Sequence, residues 1–529
     1  MKKLLLLTFL FISFLCEAQR ELPVIEWQRT LGGSESEFIY SSIPTREGGF
    51  LIGGTSASEV SGDKSIPNIG QQDFWIVKLG EYGGMEWQIV IGGTGADNLT
   101  SVDTTSDGGF IVGGSSYSNI SGLKTENSYG QYDYWILKLY KEGNIIWQKT
   151  LGGNNDDILK CIKQTKDKGF IIGGSSYSGI SGNKTVGNYG GWDYWILKLD
   201  SIGNVLWQKE YGGNNWDELT SVKEKINDGF LIGGYSTSNF SGNKTENNLG
   251  REDYWVLNVN DTGNILWQNT IGGDENDYLQ TLSETEDGGV IVVGSSISPI
   301  SGDKTERTQC NTYSQDAWIL KLNLSGDIVW QNTLGGDRND ELYSIRSIND
   351  GFLIVGNSSS DSCSDKNENS RGVDDYWILK INNSGEIIWQ KTFGGNNKDL
   401  LFDIQEINEQ EYILTGYSDS DISGEKTENN RGVGYDYWII KLKVIDNPNS
   451  ITGHIFQSNN LNCLQEINER GVQNVILKTE PQNFFGISDS TGKYTILTDT
   501  GTYKVKQITP AILKPFLQQT VCPTSGYHT

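Results

Sequence analysis

A unit of about 60 residues occurs seven times in this chain, and the repeat constrains the fold more than any other feature. A Trp-Gln pair marks each unit at spacings of 60, 60, 60, 60, 63 and 59 residues; its tryptophans are Trp27, Trp87, Trp147, Trp207, Trp267, Trp330 and Trp389. A second tryptophan follows an aspartate by two residues, at Trp75, Trp135, Trp195, Trp255, Trp318, Trp377 and Trp438. Such self-similarity indicates one supersecondary unit packed against copies of itself.

Each unit predicts four short strands. In one unit they cover residues 158–165, 170–175, 193–199 and 205–211, which are rich in aromatic and β-branched residues and are separated by Gly, Asn and Asp. Four strands in a repeat of this length are typical of a β-propeller blade, and an open solenoid is the alternative. The repeat begins with a lone fourth strand around Trp27 and ends with three strands near Leu442. These fragments complete one blade, so we predict an all-β, seven-bladed propeller closed by its N-terminal strand.

The remaining segments predict the domain organisation. Lys2 and Lys3 precede an apolar run over residues 4–15 and a small-x-small site ending at Ala18. This pattern is typical of a secretory signal peptide, so we expect residues 1–18 to be removed and the protein to be secreted or held at the outer cell surface. The propeller is assigned to residues 22–442, a linker to 443–450 and a small β-sandwich to 451–529. The chain ends at Thr529 without a closing feature, which leaves open that the sandwich is incomplete and the chain a fragment.

Two stretches resemble known families. The order Gly-Phe-Ile-Ile-Gly-Gly, Asp-Tyr-Trp-Ile-Leu-Lys-Leu and Ile-Trp-Gln resembles a lengthened kelch-type blade, and more closely the secreted repeat proteins of Bacteroidota that are type IX secretion cargo. This resemblance covers residues 22–442 and implies the fold. Residues 451–507 are similar to prealbumin-like modules of the carboxypeptidase-regulatory and Sdr B type. Some of those modules bind calcium through an acidic loop, but residues 459–466 carry amides where carboxylates are expected.

Composition argues against several functions. The net charge of −25 repels phosphate backbones and anionic membranes, so we expect neither a nucleic-acid partner nor membrane insertion. The only histidines, His454 and His528, lie outside the propeller, which removes a propeller histidine as general base or metal ligand. No Gly-x-Ser-x-Gly elbow or complete P-loop is present. We predict no catalytic residues, no metal and no cofactor, with calcium left open.

Residues that repeat in every unit are interpreted as blade architecture. An acid follows each Gly-Gly pair, at Glu37, Asp97, Asp157, Asp217, Asp277, Asp340 and Asp399, and a lysine recurs at Lys64, Lys124, Lys184, Lys244, Lys304, Lys366 and Lys426. We expect each acid to cap a turn and each lysine to pair with a nearby acid. The alternative is a ring of ligand groups on the face that carries the long loops between the second and third strands. That face is the expected binding face.

Residues that break the repeat are the better candidates for a site. Trp192 and Trp216 are the two non-periodic tryptophans, and both fall on the long-loop face of adjoining blades. They are predicted to stack on a sugar or to anchor a partner, the alternative being that each covers a neighbouring loop.

The cysteines predict two disulfides. Cys310 and Cys363 fall in long loops of neighbouring blades, and Cys463 and Cys522 both fall in the C-terminal module. Cys161 aligns with Ser101 and Ser221 in a first strand, so it is expected to be a buried free thiol.

These observations favour a non-catalytic, extracellular binding or adhesion scaffold. Its partner would be a protein or a glycan, and the chain would be a monomer. The alternative is a polysaccharide-acting enzyme or a lectin subunit of one. A deep pocket lined by non-repeating acids would favour the enzyme, and a shallow repetitive face the scaffold.

Overall fold

The computed structural model describes residues 21–307, 310, 314–446, 449–455, 470–473, 475–480, 484–498 and 502–508. All regular structure in these ranges is β-strand. Within them, no helix has the length and hydropathy needed to span a membrane. The signal peptide predicted at residues 1–18 lies outside the described residues.

The propeller contains twenty-eight strands. In chain order they are β1 (Glu21–Leu31), β2 (Glu37–Pro44), β3 (Phe50–Ser56), β4 (Asp73–Leu79), β5 (Met85–Ile91), β6 (Asp97–Thr104), β7 (Phe110–Ser116), β8 (Asp133–Leu139), β9 (Ile145–Leu151), β10 (Asp157–Gln164), β11 (Phe170–Ser176), β12 (Asp193–Leu199), β13 (Val205–Tyr211), β14 (Asp217–Glu224), β15 (Phe230–Ser236), β16 (Asp253–Val259), β17 (Ile265–Ile271), β18 (Asp277–Glu284), β19 (Val290–Ser296), β20 (Asp316–Leu322), β21 (Ile328–Leu334), β22 (Asp340–Ile348), β23 (Gly351–Ser358), β24 (Asp375–Asn382), β25 (Ile387–Phe393), β26 (Asp399–Asn408), β27 (Glu411–Ser418) and β28 (Asp436–Asp446).

These strands form seven antiparallel sheets of four. Blades 1 to 6 use consecutive strands, from β2–β5 to β22–β25, and blade 7 has the order β26-β27-β28-β1. The first strand of each blade contacts the first strands of both neighbouring blades, so seven inner strands surround a central channel. The seven-bladed fold is confirmed, and the strands predicted for one unit match β10–β13 closely.

The ring closes by strand exchange between its two ends. β1 pairs antiparallel with β28, from Glu21 opposite Asp446 to Leu31 opposite Tyr437. The backbone groups that either strand would expose at a sheet edge are thereby paired with the other strand. The closure predicted from the lone N-terminal strand is confirmed.

The repeated Trp-Gln pair clamps each long loop to its blade. In every blade the third-strand tryptophan donates its indole N–H to the glutamine Oε1, as Trp135 does to Gln148 at 3.0 Å. The glutamine Nε2 donates in turn to a loop carbonyl, that of Leu123 in the same blade. In blade 7 the clamp joins residues 410 positions apart, because Trp438 donates to Gln28 at 3.0 Å. Gln28 also donates to the carbonyl of Glu425, so the closing strand holds a loop as an internal strand does.

Neighbouring blades are joined by a tyrosine that stacks on a tryptophan. Tyr194 lies 4.9 Å from the Trp255 ring of the next blade and donates its hydroxyl hydrogen to the Trp255 carbonyl. Tyr437 makes the same contacts with Trp75, which links blade 7 to blade 1. Blades 1 and 5 depart from this pattern: Phe74 packs on Trp135 without the hydroxyl hydrogen bond, and Ala317 has no ring at this position.

Two small sheets follow the propeller. β29 (Asn449–His454) pairs with β32 (Lys493–Thr498), while β30 (Ile476–Glu480) pairs with both β31 (Phe485–Ile487) and β33 (Lys504–Gln507). One apolar cluster contains residues from both sheets together with Val24 and Ile445 of the extended β1–β28 pair. The linker predicted at residues 443–450 is corrected, because residues 443–446 continue β28 and β29 begins at Asn449. The extension is used to pack the small sheets against blade 7.

Replacing Gln28 with alanine tests the closing clamp. Gln28→Ala leaves the buried Trp438 N–H without its acceptor and releases a loop carbonyl, so we expect the free energy of unfolding to fall by about 1–3 kcal/mol. Urea denaturation followed by tryptophan fluorescence measures the change. Lys141→Ala, at an exposed turn position, is the control. Equal stability of the Gln28→Ala variant and the wild type would show that the clamp contributes nothing to closure.

Candidate binding site at the long-loop mouth of the channel

The repeated acids after Gly-Gly cap the loops that lead into each first strand. Asp157 is fully buried, and its Oδ2 accepts hydrogen bonds from the Gly153 N–H at 2.7 Å and the Ser178 hydroxyl at 2.9 Å. The second repeated aspartate does the same for the long loop, since Asp193 Oδ2 accepts the Tyr189 N–H at 2.5 Å. These carboxylates satisfy backbone donors within the fold and are not presented to a ligand.

The repeated lysines are also internal. Nζ of Lys124 donates to the hydroxyls of Ser116 and Ser128 and lies 5.5 Å from the centre of the Trp135 ring. Burial lowers the pKa of Lys124 to about 8. The expectation that each lysine pairs with an acid is corrected, because the described contacts are mainly to carbonyls, hydroxyls and amides. Lys184, which lies 2.8 Å from Glu210, has an acid as its direct partner.

The two repeated acids face each other across the blade interfaces, as Asp193 and Asp217 do; between blades 7 and 1 the pair is Asp436 and Glu37. Asp193 and Asp217 are both fully buried, and Oδ1 of each has no hydrogen-bond partner among the described residues. Burial raises the pKa of Asp193 to about 8, and the facing charge of Asp217 adds to the rise. Two carboxylates in a dry site cannot both ionise cheaply, so one of the pair holds a proton near neutral pH.

The structure brings the two non-periodic tryptophans together. The Asp217 N–H donates to the Trp192 carbonyl at 2.6 Å, which aligns the end of one long loop with the start of the next blade. The Trp216 ring lies against Gly191, yet 57% of the residue is exposed. Trp192 is half-buried and packs on Tyr177 at 5.8 Å. Both tryptophans therefore lie on the long-loop face, and each also covers a neighbouring loop.

A larger aromatic group lies at the channel mouth on blades 6, 7 and 1. We call it the aromatic wall; its residues are Phe38, Tyr40, Tyr343, Phe402, Tyr417 and Tyr435. Phe402 is central, with ring centres 5.0 Å from both Tyr343 and Tyr417 and 5.6 Å from Tyr40. Tyr40 is 37% exposed.

Sequence reasoning missed the aromatic wall because it considered tryptophans alone. Tyr40, Tyr343 and Phe402 occupy one position of the first strand, where other blades carry residues such as Thr100 and Lys160. Aligning that single position across the seven units would have shown the departure.

Two carboxylates that break the repeat bond to tyrosines: Glu341 beside the aromatic wall, and Glu218 on blade 4. Glu341 accepts the hydroxyl hydrogen of Tyr343, and Glu218 accepts that of Tyr235 at 2.8 Å. Burial raises the pKa of Glu341 above its ordinary value. The mouth thus combines aromatic faces with hydrogen-bonding carboxylates.

A cavity of about 440 Å³ opens on the opposite face, beside the tight turns of blades 6 and 7. Lys380, which lines it, is paired with two acids, since it lies 2.6 Å from Glu21 and 2.8 Å from Asp350. In the described part of the chain, no cluster of three or more His, Cys, Asp or Glu side chains is placed to hold a metal. The calcium stretch considered at residues 459–466 lies outside the described residues.

Cys310 and Cys363 form a disulfide between the long loops of blades 5 and 6. Cys161 is a free thiol, but it is only partly buried, which corrects the expectation of full burial. Its surroundings raise the pKa of the Cys161 thiol to about 11, so the thiolate is scarce at neutral pH. Cys463 and Cys522 lie outside the described residues.

Comparison with known proteins yields fold likeness alone. No protein family and no curated protein matches the chain. Among solved structures it is similar to the WD40 domain of Neurospora crassa Pan2, at 11% identity, a TM-score of 0.40, and 78% of this chain and 95% of that one covered. BamB from Moraxella catarrhalis gives 14% identity and a TM-score of 0.34, with 79% of this chain and 97% of that one covered. Kuenenia stuttgartiensis hydrazine synthase is 12% identical, with a TM-score of 0.38 and with 65% of this chain and 76% of that one covered. Scores this low support no functional conclusion; the strand pairing defines the chain as a β-propeller protein.

The disulfide joins blades 5 and 6, the interface at which Ala317 replaces the aromatic residue that packs on the tryptophan of the next blade. We therefore expect the double variant Cys310→Ser, Cys363→Ser to lose about 2–4 kcal/mol of stability. Adding Ala317→Tyr should recover about 1 kcal/mol by restoring the stack on Trp377. Thermal unfolding measures both changes, with Cys161→Ser as the control. An unchanged midpoint in the double variant would refute the coupling.

The facing carboxyl pairs predict a pH dependence. The folded pKa of Asp193 is raised above its unfolded value, so its stabilising contribution is full below about pH 4 and is lost as the pH rises toward 8. Asp193→Asn supplies an N–H to Asp217 and should stabilise the protein at pH 8 by about 1 kcal/mol, with less effect at pH 5. Urea denaturation at both pH values tests this, with the exposed Asp261→Asn as control. An equal loss of stability at both pH values would contradict it.

Proposed function

We propose that this protein is a secreted, non-catalytic binding scaffold that holds a glycan at the long-loop mouth of its propeller channel. The observation that carries the proposal is the aromatic wall, where side chains depart from a repeat that is otherwise strictly kept. Most repeated polar side chains bond within their own blade or to a neighbouring one. Several members of the wall pack on the apolar core of blades 7 and 1, but their aromatic rings are not repeated in every blade, and Tyr40 and Trp216 keep exposed surface.

The chemistry of the mouth suits a sugar ligand. Aromatic rings pack against the apolar faces of pyranose rings, while carboxylates and amides accept or donate hydrogen bonds at the hydroxyl edges. Trp192 and Trp216 with Tyr177 supply one stacking surface, and the aromatic wall supplies another. Each surface has an acceptor nearby: Glu218 follows Trp216 by two residues, and Glu341 bonds to Tyr343 of the wall. A protein partner is the second choice, because aromatic anchors also serve protein interfaces.

Several features support an extracellular location. The predicted signal peptide at residues 1–18 directs export, and the Cys310–Cys363 disulfide is stable in an oxidising compartment. The net charge of −25 favours solubility. The kelch-like, type IX cargo resemblance among Bacteroidota proteins agrees with this location. The C-terminal sheets then act as a spacer behind blade 7.

One observation favours the alternative of a polysaccharide-acting enzyme. Glu341 breaks the repeat, lies at the mouth and has a raised pKa, as a general acid requires. A second carboxylate on the other side of the sugar would complete the pair that glycoside hydrolysis needs. Release of reducing ends from a bound glycan would establish the enzyme over the scaffold.

Glycan arrays followed by calorimetry test the proposed function. We expect Trp192→Ala with Trp216→Ala, and separately Tyr40→Ala, to weaken binding of the array-selected glycan about 10-fold or more, because each removes a stacking face. Tyr82→Ala is the matched control, since Tyr82 is 75% exposed on the opposite face. Failure of the wild type to bind any array glycan, or equal binding by every variant, would refute a glycan site at the mouth.

A further inference from the structure

The channel below the mouth contains a group of cations on inner strands. Lys163, Lys223 and Arg346 occupy one equivalent position on β10, β14 and β22. The same position carries Asp103, Ile43, Ser283 and Gln405 in the other blades. It lies three residues beyond Tyr40's position along the inner strand, which is about 10 Å deeper in the channel. The cations therefore break the repeat, as the aromatic wall does.

These side chains face one another across the channel. β14 has β10 and β18 as its neighbours in the inner ring, whereas Arg346 lies on β22 and Asp403 on β26. The charges of Arg346 and Asp403 nevertheless act on the pKa of Lys223, as expected for side chains that point from different inner strands into one channel. The side chains of Lys163 and Arg346 are 30% and 23% exposed, which leaves them open to solvent in the channel.

The two nearby acids do not use up the donors of the three cations. Asp103 accepts the N–H groups of Thr104 and Gln164, both at 3.0 Å, and lies 3.7 Å from Lys163. Its carboxylate is thus committed mainly to the backbone of its own and the next blade.

Asp403 is committed in the same way. It occupies the position at which Ser101 accepts the Ile162 N–H of the next blade, and it accepts the Ser42 N–H at 3.0 Å. The side chains of Ser344 and Gln405 also donate to it, at 3.1 and 2.9 Å. Arg346 is left with a 3.5 Å contact to this carboxylate and a hydrogen bond to the Ile345 carbonyl at 2.9 Å, while Nζ of Lys163 donates to the Val102 carbonyl at 3.4 Å.

Hydrogen-bond donors therefore exceed acceptors at this level of the channel. Among the described residues, Nζ of Lys223 has no hydrogen-bond or ion-pair partner. Lys160, exposed on the inner strand at the level of Tyr40, adds a cation on the path from the mouth. The chain has a net charge of −25, so a group of cations in the channel differs in sign from the charge of the protein as a whole. We infer that Lys163, Lys223 and Arg346 form a binding site for an oxyanion, the carboxylate or sulfate group of an acidic glycan that enters through the mouth.

The site has a pH dependence of known sign. Burial, together with the charges of Arg346 and Lys163, lowers the pKa of Lys223 to about 8, while Cys161 and Asp403 act in the opposite direction. Lys223 loses its charge as the pH rises through 8, so an anion binds more weakly at pH 9 than at pH 7. Bound anion raises the pKa of Lys223 in return.

The inference rests on the proposed function for the source of the anion, but its test is separate. Calorimetry at constant ionic strength uses the whole secreted chain with sodium sulfate in one arm and sodium glucuronate in the other. We expect saturable 1:1 binding of at least one probe, weakened about 10-fold by Lys223→Met and weaker at pH 9. Lys223→Arg keeps the charge and should keep binding, and Lys141→Met at an exposed turn is the matched control.

The outcomes separate the two proposals. Binding by sulfate alone indicates a sulfated ligand, and binding by glucuronate alone indicates a uronate. No binding of either probe, or equal binding by the Lys223→Met variant, overturns the channel site even if a neutral glycan binds at the mouth. Probe binding that depends on Lys223 upholds the channel site even if the array finds no glycan.

Discussion

The pairing of β1 with β28 is the interaction on which the rest of the structure depends. A channel exists only in a closed ring, and closure joins segments that are about 400 residues apart. The β1–β28 pair repeats the contacts of an internal blade, because Trp438 donates a hydrogen bond to Gln28 as Trp135 does to Gln148. The tyrosine of the last blade also stacks on Trp75 of the first. Each inner strand is therefore held between two others all round the ring.

Each blade buries many polar groups beside its apolar core, and burying such groups costs free energy. Buried carboxylates and lysines are costly unless each finds a partner, and the repeat supplies partners locally in every blade. The facing carboxyl pairs, such as Asp193 and Asp217, are the incomplete case, since one oxygen of each has no hydrogen-bond partner among the described residues. Where the repeat loses an interface contact, at Ala317, a disulfide joins the same two blades. Coupling between blades 5 and 6 is kept by a different bond.

The fold could be predicted from sequence because its determinants are periodic. Spacing identified the blades, turn residues identified the strands, and the unmatched strands at both ends identified the closure. The extent of β28 was missed because residues 443–446 lie beyond the repeat, and their partner is the N-terminal extension of β1. The lysine partners were missed because a sequence shows opposite charges but not the carbonyls and ring faces brought close by folding. The tryptophan pair was found because tryptophan is rare, whereas Tyr40 and Phe402 resemble ordinary strand residues.

A propeller of identical blades could offer only a sevenfold-symmetric surface, so selective binding requires the symmetry to be broken. Breaking it is easiest where a side chain faces the channel, because such a side chain is not fully buried in the core between neighbouring sheets. The support for a site is that the substitutions at these positions are grouped by chemistry. Aromatic rings gather on blades 6, 7 and 1 at the mouth, and cations on blades 3, 4 and 6 deeper in the channel. A ligand that stacks at one level and presents an anion at the next would satisfy both groups at once.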